Sequence, residues 1–259
     1  MVENSTQEHP APVRGAAPEG ATDAASASRA VREMFTSIAP RYDLLNHLLS
    51  LNVDKLWWRR TAKAFSEILS RPGARILDLC CGTGDMAFAL RRKSPNAHIV
   101  GADFSHAMLK LARGKSVAAD KMIWLEGDAL QLPFVDESFD LVTSAFGFRN
   151  LADYDAGLRE IRRVLKPDGE CGILEFSDPP GVRGKLYHLY FKAILPRIGR
   201  LISGNSGAYS YLPASVVRFP QPPEMLARME QAGFRNASWT PYTLGIAGLY
   251  RGKKQADHT

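Results

Sequence analysis

A chain of 259 residues, 45% hydrophobic and 23% charged, is long enough to bury the core of one α/β domain with additions. Its net charge of +6 permits contact with nucleic acid or an anionic surface, but basic residues such as Arg91, Arg92, Lys93, Arg159, Arg162, Arg163 and Lys166 are scattered over predicted helices. They lack the interleaved aromatics of an RNA-binding module, so no nucleic-acid partner is expected; three cysteines exclude a disulfide framework, and without a leader-like start or a membrane-length apolar run the chain is expected to be cytoplasmic.

Residues 1 to about 28 contain no aromatic residue, Ile or Leu, which predicts a disordered tail before a single domain over 29–254, with 255–259 as a short second tail. Val31, Met34, Phe35 and Ile38 recur at helical spacing up to Pro40, and Val53, Trp57, Thr61, Ala64, Phe65 and Ile68 do so up to Pro72-Gly73. Residues 29–70 therefore read as a helical cap ahead of the sheet. Alternating units follow: strand 75–80, helix 84–93, strand 97–103, helix 105–113 with Ser105 as N-cap, strands 121–126 and 139–146, helix 153–166 with Asp153 as N-cap, and strand 169–176. Lys166-Pro167-Asp168-Gly169 is the turn into that strand. This alternation predicts an α/β fold with a mostly parallel sheet and helices on both faces. Residues 181–220 interrupt it as an insertion on the substrate side, over the mouth of the site. There Tyr187, Tyr190, Phe191, Ile194, Leu195 and Ile198 share one helical face, suited to a membrane interface, a channel for an apolar tail, the sheet or a second subunit of a homo-oligomer. Helix 221–232 and two strands, about 236–243 and 245–252, joined tightly enough to be antiparallel, complete seven strands.

The most informative stretch is Ile76-Leu77-Asp78-Leu79-Cys80-Cys81-Gly82-Thr83-Gly84-Asp85, where an apolar strand ends in an acid and breaks into a glycine turn before a helix. Gly82 and Gly84 can take positive φ and leave no Cβ between backbone and ligand. Asp78 is placed to hold a ligand cation, Asp103 to accept both hydroxyls of a ribose, and Asp128 with Ala129 to meet an adenine amine. Gly82-Thr83-Gly84-Asp85-Met86-Ala87 also fits the dinucleotide pattern G-x-G-x-x-A, with Asp103 21 residues after Gly82, so an NAD-dependent dehydrogenase competes with a methyltransferase that uses S-adenosylmethionine. Asp78 favours the latter, because a carboxylate there opposes a pyrophosphate and suits an ammonium. Cys80 and Cys81 read as small residues beside the turn, pointing to opposite sides, and no metal site is expected.

From about residue 31 to 254 the chain resembles the UbiE/MenG family of quinone-ring C-methyltransferases, a branch of the class I S-adenosylmethionine fold. The resemblance is carried by Tyr42-Asp43-Leu44-Leu45-Asn46, Ser50 and Trp57, the acid-glycine stretch, Phe146-Gly147-Phe148-Arg149-Asn150 and Arg163-Val164-Leu165-Lys166-Pro167. It continues in Leu174-Glu175-Phe176-Ser177, Leu195-Pro196-Arg197-Ile198-Gly199 and Tyr209-Ser210-Tyr211-Leu212. Departures are Leu45 for a usual Met, Asp54 for a usual His, Asp168 for a usual Gly, Cys80-Cys81 where Ala-Gly is common, and Ala145 where some members place a cofactor-contacting Ser.

The resemblance implies a Rossmann-like, mostly parallel seven-stranded sheet whose last strand is antiparallel, and S-adenosylmethionine held by Thr83, Asp103, Asp128 and Ala129 beside Asp78, Gly82 and Gly84. The implied acceptor is a prenylated quinol, either 2-demethylmenaquinol or the methoxy-polyprenyl-benzoquinol of ubiquinone biosynthesis, met at the membrane by peripheral attachment. A quinol carbon becomes nucleophilic when its hydroxyl ionises, which for a phenol takes place near pH ~10. Arg149 is therefore expected to stabilise the quinolate oxygen and Asn150 to orient it, against the rival reading of an Arg paired with a carboxylate. Tyr42, Asp43 and Asn46 are expected near the quinol head, and His47 and His188 are weighed as proton acceptors without an assignment.

Overall fold

The computed structural model describes residues 14–50, 52–117, 121–177 and 207–255. Its strands are β1 (Arg75–Leu79), β2 (His98–Asp103), β3 (Ile123–Glu126), β4 (Phe139–Ala145), β5 (Leu165–Phe176), β6 (Phe234–Tyr242) and β7 (Ala247–Lys254). They make one sheet in the order β3-β2-β1-β4-β5-β7-β6, in which β7 alone runs against its neighbours. The chain builds outwards in one direction from β1 to β3, then returns to place β4 on the other side of β1. That reversal opens a crevice at the carboxyl ends of β1 and β4, the place where open α/β sheets bind ligands.

The helices are α1 (Ala24–Ile38), α2 (Tyr42–Leu49), α3 (Asp54–Ala64), α4 (Ser66–Leu69), α5 (Asp85–Lys93), α6 (His106–Lys115), α7 (Tyr154–Val164), α8 (Gly207–Arg218) and α9 (Pro222–Gln231). Alternation along β1 sends Ile76 into one core, with Trp57, Phe65, Ile68, Leu90 and Leu109, and Leu77 and Leu79 into the other, with Leu158, Ile161, Met225 and Met229. Both faces of the sheet are thus covered, as continuous apolar parallel strands require.

Several expectations change in detail. Residues 14–28, assigned to a disordered tail, are placed. The Arg14 and Ala16 amides donate to the Ala152 and Leu151 carbonyls at 3.2 and 2.7 Å, and Asp23 starts α1 by accepting from the Ser26 amide in a reciprocal capping box. Composition hid this because small residues are what permit the close approach: a Cβ on Gly15 would lie 2.1 Å from the Leu151 carbonyl oxygen. Ser105 stands at the N-cap of α6 without a side-chain capping bond, its hydroxyl lying 3.3 Å from that of Thr36 instead. Asp153 does cap α7, accepting from the Ala156 amide at 2.8 Å. The expected turn at Lys166–Gly169 lies inside the bounds of β5, with Asp168 at a φ of +59° and the register stepping from Phe139 opposite Leu165 to Leu141 opposite Glu170, so that four residues stand against one. The Tyr187–Ile198 stripe and most of the 181–220 insertion lie outside the described residues, as does His188; among those described, no helix is long and apolar enough to cross a membrane.

Candidate active site

The crevice is floored by the ends of β1, β2 and β4. Asp78 stands opposite Thr143 in the β1–β4 register and is fully buried; its Oδ1 accepts from the Thr143 hydroxyl at 2.9 Å, while Oδ2 has no hydrogen-bond partner among the described residues. Burial pushes its carboxyl up to about 7, against the pull of the Thr143 hydroxyl and, more weakly, of the Ala87 amide at the start of α5. A buried carboxylate oxygen with no donor is costly unless a cation meets it. Asp103, 6% exposed, takes the Gly82 amide on Oδ2 and the Ser105 amide on Oδ1, both at 2.8 Å, and burial raises it to about 6. Asp103 therefore ties the glycine turn to the end of β2, and each of its oxygens retains a second lone pair for a ligand hydroxyl.

The turn has the backbone that its glycines allow. Gly82 sits at φ +53° and Gly84, the N-cap of α5, at +90°. A Cβ on Gly84 would lie 2.5 Å from Trp124 Cη2. The next strand end, at Phe146-Gly147, abuts the turn: Cys80 and Phe146 both adopt positive φ, +53° and +58°, and a Cβ on Gly147 would lie 2.4 Å from that of Cys80. Non-glycine residues in this region cluster where the surroundings force an unusual backbone, commonly at ligand sites. Phe146 and Gly147 stand in the 146–150 block that carries the family resemblance, but neither has a role in the site assigned from the sequence.

Two adjoining compartments open over this floor. The larger, with an empty volume of about 660 Å³, is lined by Phe35 and Tyr42 from the cap, by Asp103, Asp128 and Ala129, and by Asn150. The smaller, about 370 Å³, is lined by Tyr42, Asn46, Trp58, Asp78, Thr83 and Asp85; Tyr42, Cys80, Gly82 and Phe146 belong to both walls. Ten sequence-selected residues are thereby sorted. Asp103, Asp128, Ala129, Gly82, Tyr42 and Asn150 line the larger compartment, Asp78 and Thr83 the smaller, Gly84 supports the turn from behind, and Arg149 lines neither. Asp128 Oδ1 accepts from the Leu130 amide at 2.9 Å, which orders the acid beside the cleft. Asp43 and Lys115 were not expected as a unit: the Thr83 hydroxyl donates to Asp43 at 2.5 Å, and Lys115 lies 2.6 Å from Asp43 and 3.3 Å from Asp85.

Arg149 corrects the sequence reading. It is 5% exposed, its Nη1 donates to Glu175 Oε2 at 2.9 Å and to the Phe146 carbonyl, its backbone amide donates to Glu175 Oε1 at 3.0 Å, and its Nε donates to the Ser215 hydroxyl at 3.3 Å. Glu175 itself is fully buried. The guanidinium therefore holds the β4 and β5 ends together rather than reaching an acceptor oxygen, because an internal carboxylate on the neighbouring strand competes for it. Asn150, in contrast, faces the cleft, with Oδ1 accepting from the Tyr211 hydroxyl at 3.1 Å and so leaving its NH2 as the group to offer. Tyr42 keeps its proton, since burial pushes its hydroxyl up to about 12.

These residues fit S-adenosylmethionine: an unpartnered buried carboxylate for its ammonium, a Cβ-free turn for its amino-acid arm, and acids at two further strand ends for ribose and adenine. Residues 22–254 match the sequence model of the ubiE/COQ5 methyltransferase family. A Deinococcus radiodurans protein named demethylmenaquinone methyltransferase is 52% identical over 229 residues, 88% of this chain and 93% of that protein. The ubiquinone/menaquinone biosynthesis C-methyltransferase UbiE of Geotalea daltonii is 45% identical over 229 residues, 86% of this chain and 96% of its own. Among solved structures, a Thermotoga maritima protein described as an SAM-dependent methyltransferase superposes with a TM-score of 0.62 at 20% identity, over 87% of this chain and 100% of that one, which shows the fold. The dehydrogenase alternative is thereby set aside, and the chain belongs to the ubiE/COQ5 methyltransferase family.

Proposed function

We propose that this enzyme transfers a methyl group from S-adenosylmethionine to a ring carbon of 2-demethylmenaquinol, giving menaquinol and S-adenosylhomocysteine. The unpartnered Oδ2 of Asp78 beneath the glycine turn carries the assignment of the donor, because it asks for a cation at the place where the donor's ammonium lies. Bound there, S-adenosylmethionine supplies a methyl group on a positively charged sulfur. Asp103 engages the ribose hydroxyls, Asp128 and the Ala129 amide the adenine edge, and Thr83 keeps the turn in register through Asp43. Methyl transfer to carbon is an in-line displacement, so alignment and exclusion of water are the protein's main contributions. Tyr42 and Asn150 provide those at the acceptor, the first as a protonated donor on the shared wall and the second as an oriented amide. Arg149, the residue before Asn150, is itself fixed by Glu175.

The names of the two relatives support a naphthoquinol acceptor, and the second also supports a ubiquinone precursor. Both are offered in one assay: purified enzyme, methyl-labelled donor, and each reduced quinone in detergent. Label transfer to demethylmenaquinol bears the proposal out; label on the benzoquinol alone replaces the acceptor, and label on neither rejects it. Asp103→Ala is expected to weaken donor binding about 100-fold through loss of two charge-assisted bonds and of the turn's anchor, and unchanged binding by calorimetry would contradict the ribose assignment.

A further inference from the structure

The smaller compartment poses a charge problem. The amino-acid arm assigned to it above is a zwitterion, yet among the described residues its walls carry two acids, Asp78 and Asp85, and no Lys, Arg or His. The ammonium has partners in plenty. The carboxylate has none on the wall itself, and a carboxylate placed among acids without a cationic donor is not stably bound.

Among the described residues, Lys115 and His47 both engage groups of that wall. Lys115 is already shared between Asp43 and Asp85. The other is His47, the residue after the wall residue Asn46 on α2. Its ring packs edge-on against the wall residue Trp58, with centroids 5.9 Å apart, and its charge is felt by Asp85. Its Nδ1 lies 2.7 Å from Asp54 Oδ2. Asp54 is 3% exposed at the start of α3, and its Oδ1 takes the Lys55 amide at 2.8 Å, so the carboxylate is fixed and aimed at the ring. A carboxylate held on one ring nitrogen sets the orientation of the imidazole and leaves the opposite nitrogen, Nε2, as the group it presents. An Nε2–H on this ring is a donor suited to a carboxylate. Among the described residues, Asp54 from α3 and Asp85 from α5 act on the ring, Asp43 lies on its own helix, and Lys115 from α6 offsets Asp85 and Asp43.

We propose that His47, oriented by Asp54, binds the carboxylate of the donor's amino-acid arm, so that the α2–α3 cap closes the charge pattern which Asp78 begins from the floor. The proposal rests on the donor assignment above but not on the identity of the acceptor. Asp54 is the positioning residue of the pair and touches no ligand.

Equilibrium binding separates this role from that of a mere staple between α2 and α3. The probes are S-adenosylhomocysteine and its decarboxylated analogue, which keeps the ammonium and lacks only the carboxylate, measured by calorimetry on the full chain without any quinol. His47→Gln is expected to weaken S-adenosylhomocysteine about 10- to 100-fold, the span of one charge-assisted hydrogen bond, and to leave the decarboxylated analogue within about twofold. Equal weakening of both ligands, or of neither, overturns the proposal. Should His47→Gln fail to fold, Asp54→Asn, which retains an acceptor oxygen but not the charge, carries the same comparison: selective loss against the carboxylated ligand supports the role and an equal loss rejects it. Failure of the wild type to bind S-adenosylhomocysteine would instead strike the donor assignment, and failure to methylate any quinol only the acceptor.

Discussion

The floor of the cleft and its cap are built by different means. On the floor, Asp78, Asp103, the glycine turn and the Phe146-Gly147 break are fixed by strand register and main-chain bonds, and the two carboxylates there are at most 6% exposed. The cap is held by side chains: Thr83 to Asp43, Lys115 to Asp43, His47 to Asp54, and the Trp57 indole donating to Thr243 at 2.7 Å across the sheet. A floor made of backbone tolerates little change and positions ligand atoms rigidly; a cap made of side-chain ties can be retuned one residue at a time. Substitutions on the floor should therefore cost stability, and substitutions in the cap should change affinity at nearly constant stability.

The largest effect is expected from Glu175→Ala. It leaves the Arg149 guanidinium buried without its carboxylate, which costs about 3–5 kcal/mol in comparable pairs. Urea unfolding measures it, and a loss below about 1 kcal/mol would show that water or another group takes over. Next is Gly84→Ala, which adds a Cβ 2.5 Å from Trp124 at a φ of +90°. Strain and overpacking together predict a loss of about 2–3 kcal/mol. Because part of that is steric, Trp124→Leu in the same chain should recover some of it; an additive double mutant would assign the whole cost to φ.

The same contrast explains what the sequence disclosed. The strand-acid-glycine-helix order of residues 76–85 is a local pattern with a local cause, so Asp78, Gly82, Gly84 and the sheet class were legible without coordinates. Asp103 and Asp128 were legible because strand ends in a parallel sheet converge by topology. The role of Arg149 was not, since its fate depends on Glu175, 26 residues away in the chain and adjacent only after β4 and β5 pair. His47 and Asp54 showed the same limit in the cap: each was noticed, one as a loose proton acceptor and the other as a departure from the family, but nothing in the sequence said that they touch. The Arg14–Ala16 pairing was hidden for a different reason, since backbone bonds made by small residues leave no compositional trace.

Asp78 gives a pH test of the floor. Its carboxyl is raised to about 7 by burial, and that of Asp103 to about 6, so the folded protein without ligand holds protons that the unfolded chain, with ordinary carboxyls near 3.8, has released. The stability they contribute is fully present below pH ~3.8 and is lost as pH rises towards 7. Asp140 and Glu160, whose carboxyls are lowered, act in the opposite sense, so the measurement is the difference between wild type and Asp78→Asn, which should shrink the downward slope between pH 4 and 7. Donor binding has the reverse dependence, because the ammonium requires ionised Asp78. Affinity should fall about tenfold from pH 8 to 6 in the wild type and much less in Asp78→Asn, and a wild-type affinity flat over that range would remove Asp78 from the ammonium site.

The smallest expected effect lies in the cap, at Lys115→Met. Lys115 and Asp43 are each about a third exposed, with side-chain accessibilities of 32%, so solvent screening limits the contribution of their pair to folding to about 0.2–1 kcal/mol. Its influence on binding is larger than its influence on folding, because Asp43 also receives the Thr83 hydroxyl and Asp85 lines the amino-acid compartment. Burial raises the Asp85 carboxyl and the Lys115 charge opposes that rise, so removing the lysine favours protonated Asp85 and loosens Asp43 from the glycine turn. The donor KM should rise about three- to fivefold with kcat unchanged, and salt should move the wild type towards the variant, as expected for an exposed pair. If kcat falls instead while KM holds, the cap acts on the methyl-transfer step itself, and the division of labour between a rigid floor and a tunable cap has to be redrawn around α2.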